Sequence, residues 1–274
     1  MEQAKKDKLA KVAQNIRRDI ITEVYSASSG HPGGSLGTAD ILAYLYFEEM
    51  NVDPKNPKMA DRDRFVMSKG HCAPALYAVL AERGYFPVED LKGFRSIDSH
   101  LEGHPDMKKV PGVDMSTGSL GQGVCAAGGM AMAGKLDKKD YRVYAILGDG
   151  EIEEGQVWEA AMFAAQYNLD NLTIFVDFNG LQIDGDITKV MNPTPIDKKF
   201  EAFGWNVLTC DAHDFDSIEA AVSAAKATKG KPTAIVAKSV KGKGVSFMEN
   251  QAGWHGKAPN EEEYNQAMKE LGAE

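Results

Sequence analysis

The sequence predicts an α/β fold with a doubly wound, mostly parallel sheet flanked by helices. Apolar segments typical of buried strands, at 143–147, 172–178 and 233–237, alternate with helical patterns along the 274 residues. Gly148-Asp149-Gly150 follows the first of these strands and Asn179-Gly180 follows the second, as in loops at strand ends. Since no linker separates two regimes of composition, we expect a single domain over 1–274.

The remaining elements follow in chain order. Leu9, Val12, Ile16, Ile20 and Val24 recur at helical spacing and predict an amphipathic first helix. The glycine-rich stretch 28–35 predicts a loop without regular structure. The other patterns predict helices at 38–50, 73–83, 124–135, 216–228 and from 260 to about 271, a short helix opened by Pro87, strands at 64–68 and 205–210, and long loops at 95–117 and 238–259.

Composition and charge exclude several classes of function. The net charge of −9 does not favour nucleic-acid binding, which needs a basic face. No apolar run is long enough to span a membrane, and the first residues lack the apolar core of a secretory signal. Three cysteines without a CxxC pair are an odd count, which favours a reducing cytoplasm.

The segment 148–185 predicts a ligand site at the carboxyl ends of two strands. Strand, glycine turn, helix (from Trp158 to Gln166) and strand form a parallel βαβ unit, and ligands of such sheets bind at these strand ends. If the two strands are neighbours, the side chains of Asp149 and Asn179 converge. We expect Gly150 to offer a free backbone N–H near a helix start. Carboxylate and amide oxygens with such a donor suit a hard divalent cation and a diphosphate.

Four of the six histidines lie in loops beside glycine or proline: His31, His71, His104 and His255. Histidine suits proton transfer near neutral pH and hydrogen bonding to oxyanions. Each of them alone is more easily explained as an unrelated surface or capping residue, but four in similar contexts favour a shared site. His100 and His213 lack that context and are expected to be structural.

Other candidate motifs have simpler interpretations. Cys72 has no matched cysteine and is expected to be buried packing. Glu151 and Glu153 are typical of a first helical turn. The segment 118–123 lacks the features of a Walker loop and of a dinucleotide fingerprint. The basic run 238–244 is either a phosphate-binding loop or a solvated basic turn.

Several motifs, in this order, resemble the amino-terminal portion of transketolase. They are SSGHPGGSLG, SKGH, EGHPD, DMSTGSLGQG and KGKGVSFMENQAGWHG, and the resemblance covers essentially the whole chain. Gly148-Asp149-Gly150 followed by Asn179 is also similar to the signature of thiamine diphosphate enzymes. The resemblance implies the thiamine-diphosphate-binding fold, and specifically its diphosphate-binding domain.

The resemblance implies a role for each matching residue. Asp149 and Asn179 through their side chains and Leu181 through its carbonyl would bind Mg²⁺ or Ca²⁺. Gly150, His71 and His255 would contact the diphosphate, Ile183 the thiazolium, and Gly118, Leu120 and Gly121 the aminopyrimidine. His31, His71, His104 and His255 would line the substrate channel, and Glu154 would reach towards a catalytic glutamate of the partner.

The resemblance also implies a divided enzyme. Ser119 and Glu102 replace prolines usual in the family, which are mild departures. The pyrimidine-binding and carboxyl-terminal domains are absent, and the polar ending suggests a natural terminus. We therefore expect the amino-terminal subunit of a split transketolase, active only with a partner that carries those domains, in an α2β2 assembly in the cytoplasm. It would transfer a two-carbon ketol unit between sugar phosphates of the pentose phosphate pathway, such as xylulose 5-phosphate and ribose 5-phosphate. The alternatives are a split transketolase for a modified or sulfonated sugar, and a non-catalytic cofactor-binding paralogue.

Overall fold

A computed structural model describes residues 1–273 and has seven strands and ten α-helices in that range. The strands are β1 (Arg64–Met67), β2 (Val143–Gly148), β3 (Leu172–Phe178), β4 (Leu181–Gln182), β5 (Gly185–Asp186), β6 (Asn206–Asp211) and β7 (Thr233–Lys238). The helices are α1 (Gln3–Ser26), α2 (Pro32–Gly37), α3 (Ala39–Tyr44), α4 (Ala73–Arg83), α5 (Gln122–Leu136), α6 (Gly155–Gln166), α7 (Ile187–Val190), α8 (Ile196–Ala202), α9 (Phe215–Ala227) and α10 (Glu261–Glu270).

Five parallel strands form the central sheet in the order β1-β2-β3-β7-β6, and β4 pairs with β5 in a separate small hairpin. The α/β class predicted from the alternating patterns is confirmed. Because all five strands run the same way, their carboxyl ends meet at one edge of the sheet, and the loops that follow them share that edge. In the described part of the chain, no helix is long and apolar enough to cross a membrane.

Helices cover both faces of the sheet. Neighbouring side chains along each strand point to opposite sides, so each strand contributes apolar side chains to both faces. Tyr144 and Ile146 of β2 pack with α1, α3, α4 and α9, whereas Val143 and Ala145 pack with α5, α6 and α8. The apolar stripe of α1 is buried as predicted, with Ile16 fully enclosed. Two buried layers of side chains therefore hold the sheet rigid beneath its carboxyl edge.

The structure differs from the sequence prediction in a few segments. The stretch 28–35, predicted as a loop, enters α2 at Pro32, because proline suits the first helical position. The predicted helix 38–50 is α3 followed by a five-residue π-helical turn, 45–49. The strand predicted at 205–210 begins one residue later, and Pro87 precedes a 3₁₀ turn, 88–93, rather than an α-helix. The β4–β5 hairpin, α7 and α8 were not predicted, because short elements carry little periodic signal.

Candidate functional site

The carboxyl ends of β2 and β3 bring Asp149 and the 179–181 segment together, as the spacing predicts. Gly148 lies opposite Asp177 in the register of the two strands. The Asp149 carboxylate accepts hydrogen bonds from the backbone N–H of Gly180 at 2.7 Å and of Gly150 at 2.9 Å. Burial, and then the nearby Asp177 carboxylate, raise the pKa of Asp149 to about 7. A cation at this carboxylate would counter both effects, because it favours the ionised form.

Two details of this turn correct the sequence prediction. The N–H of Gly150 is not free, because it donates to the Asp149 side chain. A 3₁₀ turn, 151–153, intervenes before α6 begins at Gly155, so no helix N-terminus lies directly at Gly150.

Asn179 and Leu181 supply the two other oxygens of the predicted cation site, beside the Asp149 carboxylate. The amide Oδ1 of Asn179 accepts the backbone N–H of Leu181 at 3.0 Å, and the carbonyl of Leu181 accepts the Lys241 ammonium at 3.2 Å. Within residues 1–273 no group of three His, Cys, Asp or Glu side chains is arranged to hold a metal ion. The predicted set contains one carboxylate, one amide and one carbonyl. These are hard oxygen donors of the kind Mg²⁺ and Ca²⁺ take, so the residues fit such a cation.

Three of the four predicted histidines meet in one group. The ring centroid of His71 lies 5.1 Å from that of His31 and 5.1 Å from that of His255, and the remaining pair is 5.4 Å apart. Burial lowers the pKa of His31 to about 4 and that of His71 and His255 to about 3, and nearby cationic groups add to the effect. The three rings are therefore neutral at pH 7, and each offers one donor and one acceptor nitrogen. The Nδ1 atom of His31 is buried without a hydrogen-bond partner among the described residues.

The fourth histidine lies at the margin of this group. His104 is exposed, and its ring lies against Gly118: a side chain at Gly118 would meet the His104 ring at 3.0 Å. Gly70 in turn lies so close to Gly118 that an added Cβ would come within 2.6 Å of the Gly118 nitrogen. The loops that carry His71 and His104 are therefore packed on the same glycine segment.

One cavity at the carboxyl edge collects most of the predicted residues. Its lining includes His31, His71, Gly118, Leu120, Asp149, Gly150, Asn179, Leu181, Ile183 and His255. His104, Gly121 and Glu154 do not line it. Glu154 is exposed and lies beside Gly121, at the side of the cavity where α5 and α6 begin. Ile183 is 62% exposed, which puts it at the mouth.

Two charged residues that sequence reasoning missed form an ion pair under this cavity. The ammonium of Lys69 lies 2.5 Å from the Asp177 carboxylate, and both side chains are almost fully buried. Burial opposes ionisation of Asp177, but Lys69 outweighs it and holds the pKa of that carboxyl below its usual value. Asp177 could have been found as the one charged residue in the apolar run of β3, and Lys69 through the SKGH motif.

Lys241 resolves the two interpretations of the basic run 238–244. Its side chain is only 2% exposed and lines the cavity, so this part of the run is not a solvated turn. The ammonium donates to Nδ1 of His255 at 2.9 Å, and among the described residues no carboxylate lies within 4 Å of it. Burial lowers the pKa of Lys241. An unpaired ammonium in a buried cavity is costly unless an anion joins it.

Glu151 does more than begin a helical turn. Its buried carboxylate accepts hydrogen bonds from the Ser68 hydroxyl and from the backbone N–H groups of Gly121, at 2.9 Å, and Gly148, at 3.0 Å. Ser68 also accepts the N–H of Val124 in the first turn of α5. Glu151 therefore fixes the 118–121 loop against the ends of β1 and β2. Glu153, by contrast, is half-exposed, and Cys72 is buried as expected.

Comparisons with known proteins identify close relatives of this chain. The family model described as "Transketolase, thiamine diphosphate binding domain" matches residues 8–274. The "6-deoxy-6-sulfo-D-fructose transketolase subunit SqwG" of Clostridium sp. (strain MSTE9) is 47% identical over 94% of this chain and 94% of its own length. An apulose-4-phosphate transketolase subunit of Phocaeicola vulgatus is 43% identical over 93% of this chain and 90% of its own length.

A solved structure shares the fold. The transketolase of Campylobacter jejuni superposes with a TM-score of 0.91 at 37% identity, over 96% of this chain. The match covers only 42% of that transketolase chain, so the present chain spans less than half the length of the crystallised relative.

Proposed function

Because this chain belongs to the transketolase family, we propose that it is the diphosphate-binding subunit of a split transketolase, a thiamine-dependent transferase that works with a second chain. Within that proposal, residues 1–274 are the diphosphate-binding domain alone. The relatives that match it over nearly their whole length are named as transketolase subunits, which supports this interpretation.

The observation that carries the proposal is the buried ammonium of Lys241, which has no carboxylate partner, contacts the Leu181 carbonyl and lines the same cavity as Asp149 and Asn179. Cation ligands and a free cationic side chain in one cavity suit a metal-bound diphosphate, because the anion would pair with both. Because the three histidines are neutral, they do not pair with the negative charge of the diphosphate and leave it to the metal and Lys241. This arrangement supports a site able to bind the cofactor, and assay of the complex with its partner decides between a catalytic subunit and the non-catalytic paralogue.

The proposed roles follow the geometry of the cavity. Asp149, Asn179 and the Leu181 carbonyl hold Mg²⁺ or Ca²⁺, while Gly150, His71, His255 and Lys241 face the diphosphate. Leu120 and Ile183 offer apolar contacts to the rings of the cofactor, beside the Gly118 and Gly121 backbone. Bound thiamine diphosphate supplies the electron sink of ketol transfer. His31, which lines the cavity, and His104 at the margin are suited to hold substrate hydroxyls and to move protons.

We place the substrate among modified sugars rather than the sugars of the pentose phosphate pathway. The two relatives of similar length are named for a sulfonated fructose and for apulose 4-phosphate. Those names support the alternative that the sequence left open, a split transketolase for a modified sugar. The contacts that choose between such sugars belong in part to the missing chain in this proposal.

An exposed apolar surface supports the proposal of a partner chain. It runs along α5 and α6 and comprises the exposed residues Cys125, Gly129, Ala133, Leu136, Met162, Phe163 and Tyr167, together with the half-buried Met132; these residues are here called the α5–α6 stripe. Leu136 is 70% exposed, Met162 58% and Tyr167 49%. On α5 the stripe starts at Cys125 in the first turn, whereas its other residues, 162–167, lie at the carboxyl end of α6. A continuous apolar surface on neighbouring helices is typical of a protein interface.

The proposed occupant of the α5–α6 stripe is the second transketolase chain, which carries the pyrimidine-binding and carboxyl-terminal domains. The Campylobacter jejuni transketolase is more than twice the matched length, and in this proposal a second chain supplies the remainder. Glu154 lies beside Gly121, next to the Cys125 end of the stripe, where it can reach a partner's catalytic group. We propose an α2β2 assembly in a reducing compartment such as the cytoplasm, since all three cysteines are free thiols.

Calorimetry with thiamine diphosphate, with and without Mg²⁺, tests the cofactor site. We expect metal-dependent binding by the purified chain and its loss in Asp149→Ala; unchanged affinity in that variant would contradict the metal assignment. The second test mixes the chain with its candidate partner and assays 6-deoxy-6-sulfofructose, apulose 4-phosphate and xylulose 5-phosphate as donors. We expect turnover of a modified sugar by the complex only. Robust turnover by the chain alone would refute the split enzyme.

A further inference from the structure

Asp177 receives three hydrogen bonds from three separate loops at the carboxyl edge of the sheet. One carboxylate oxygen accepts the Lys69 ammonium at 2.5 Å and the side-chain N–H of Asn179 at 3.0 Å, and the other accepts the Ser239 hydroxyl. These donors follow β1, β3 and β7 respectively. Asp177 itself is 1% exposed on the central strand. The carboxylate therefore connects three of the loops that surround the cavity.

The bond to Asn179 has a directional consequence. An ionised carboxylate only accepts hydrogen bonds, so the amide of Asn179 must turn its NH₂ group towards Asp177. Its Oδ1 atom then points the other way, where it also accepts the N–H of Leu181. A flipped amide would present two N–H donors to a cation instead of an oxygen. Neither backbone geometry nor sequence alone fixes this choice, because an amide is nearly symmetric in shape.

We propose that Asp177 is the positioning residue that fixes the Asn179 amide with its oxygen towards a divalent cation. This inference rests on the proposed function, since it assigns the cation to Asn179. Lys69 supports the arrangement by neutralising Asp177, and it also donates to the Gly34 carbonyl at 3.1 Å. The same pair thereby ties α2, which begins directly after His31, to the cation side of the cavity. Partners behind the ligands of a metal commonly change its affinity about 10–100-fold.

A swap of the two side chains tests this orientation. In Asp177→Asn the new amide can accept or donate, so it no longer dictates how Asn179 turns. In the double variant Asp177→Asn/Asn179→Asp, the ligand is a carboxylate whose two oxygens are equivalent, and the net charge is unchanged. The amide of residue 177 can then donate to residue 179, which restores the hydrogen bond with its direction reversed. Ser239→Ala serves as the control, because it removes one donor to Asp177 and leaves the amide contact in place.

The readout is Mg²⁺ affinity, titrated by calorimetry at saturating thiamine diphosphate with the full chain. We expect Asp177→Asn to bind Mg²⁺ at least tenfold more weakly, the double variant to recover to within about threefold of wild type, and Ser239→Ala to stay within about threefold. Circular dichroism and the thermal midpoint report folding separately. If Asp177→Asn does not fold, recovery of Mg²⁺ binding in the folded double variant still supports the proposal.

Three results would overturn it. A folded Asp177→Asn with wild-type Mg²⁺ affinity would show that the amide needs no such partner. A folded double variant that remains as weak as the single variant would show that orientation is not the cause. Failure of both variants to fold would assign the pair to the stability of the sheet alone. Failure of the proposed function is distinguishable, because wild type itself would then bind neither the cofactor nor Mg²⁺.

Discussion

The Lys241 ammonium donates a hydrogen bond to Nδ1 of His255 at 2.9 Å inside the cavity. Since an ammonium cannot accept, His255 Nδ1 must be the acceptor, and the neutral ring carries its proton on Nε2. Lys241 therefore determines the tautomer of a proposed diphosphate contact. Its charge nevertheless remains unpaired by any carboxylate within 4 Å in the part of the chain that the structure describes.

Replacement of Lys241 by methionine is expected to change stability and affinity in opposite directions. Without ligand, the variant should unfold at a higher temperature, because an apolar side chain of similar length replaces an unpaired buried charge. Affinity for thiamine diphosphate with Mg²⁺ should fall about 10–100-fold, the equivalent of about 1.5–3 kcal/mol for a hydrogen bond to a charged group. Differential scanning calorimetry and titration calorimetry measure the two effects.

Lys243→Met is the matched control for this prediction. Lys243 belongs to the same basic run but is more exposed and faces Glu249, with 3.6 Å between the charged groups. Its replacement should leave cofactor affinity unchanged. Equal losses in both variants would mean that the run attracts the anion only through its general charge.

The buried histidines predict that the cofactor-free chain loses stability in mild acid. Burial, followed by the charges of Lys69 and Lys241, lowers the pKa of His71 to about 3. An unfolded histidine titrates near 6.5, so unfolding takes up a proton between about pH 6.5 and 3. The contribution of His71 to the free energy of unfolding is present above pH 6.5 and is lost as the pH falls. Urea unfolding at a series of pH values gives the free energy of unfolding as a function of pH. For His71→Gln this free energy should fall less steeply with falling pH than for wild type, by up to roughly 1.4 kcal/mol per pH unit in this window. An unchanged slope would contradict the neutral state of His71.

The sequence predicts the sheet and the positions of the site loops well, because both depend on local patterns. Strand periodicity identified β2 and β3, and adjacency of those strands was sufficient to bring Asp149 and Asn179 together. The prediction for Gly150 was wrong, since whether a backbone N–H is free depends on a side-chain rotamer that sequence does not specify. Asp177 and Lys69 were missed for a related reason: their pairing spans 108 positions, and local sequence patterns do not report contacts between such distant segments.

A group of carboxylates outside the cavity predicts a second, opposite pH effect. Asp19 on α1 is half-buried; burial, and then the nearby Glu82, raise its pKa to about 8. Glu23, one turn further along α1, is fully buried, and neither of its carboxylate oxygens has a hydrogen-bond partner. Asp19 keeps its proton to a higher pH in the folded chain than in the unfolded chain. Its contribution to the free energy of unfolding is therefore present below about pH 4 and is lost as the pH rises to about 8.

Asp19→Asn is expected to prevent this loss of stability at higher pH, because asparagine resembles the protonated acid and can still donate a hydrogen bond to Glu82. The variant should be more stable than wild type at pH 8 and should differ little from it at pH 4. Chemical denaturation across that range measures the difference. Asp7→Asn, at an exposed position of the same helix, is the control and should follow wild type throughout. Parallel curves for Asp19→Asn and wild type would refute the raised pKa.

Phe163 lies in the centre of the α5–α6 stripe and predicts how the proposed partner binds. Its ring packs on α5, where a side chain at Gly128 would meet it at 3.6 Å, and it remains 37% exposed. Phe163→Glu should weaken the complex with the second transketolase chain at least about 30-fold, since a buried aromatic anchor commonly contributes about 2 kcal/mol or more. The isolated chain should keep its circular dichroism, because the glutamate points into solvent there.

Ile97→Glu separates a docking effect from a general change in charge or hydrophobicity. Ile97 is 99% exposed but lies in the loop before Leu101, away from both helices of the stripe. Analytical ultracentrifugation of each variant with the partner gives the two dissociation constants. We expect wild-type affinity for Ile97→Glu and an affinity weakened at least about 30-fold for Phe163→Glu. If Phe163→Glu assembled normally, the partner would have to dock on another face, and the α5–α6 stripe would have no role in assembly.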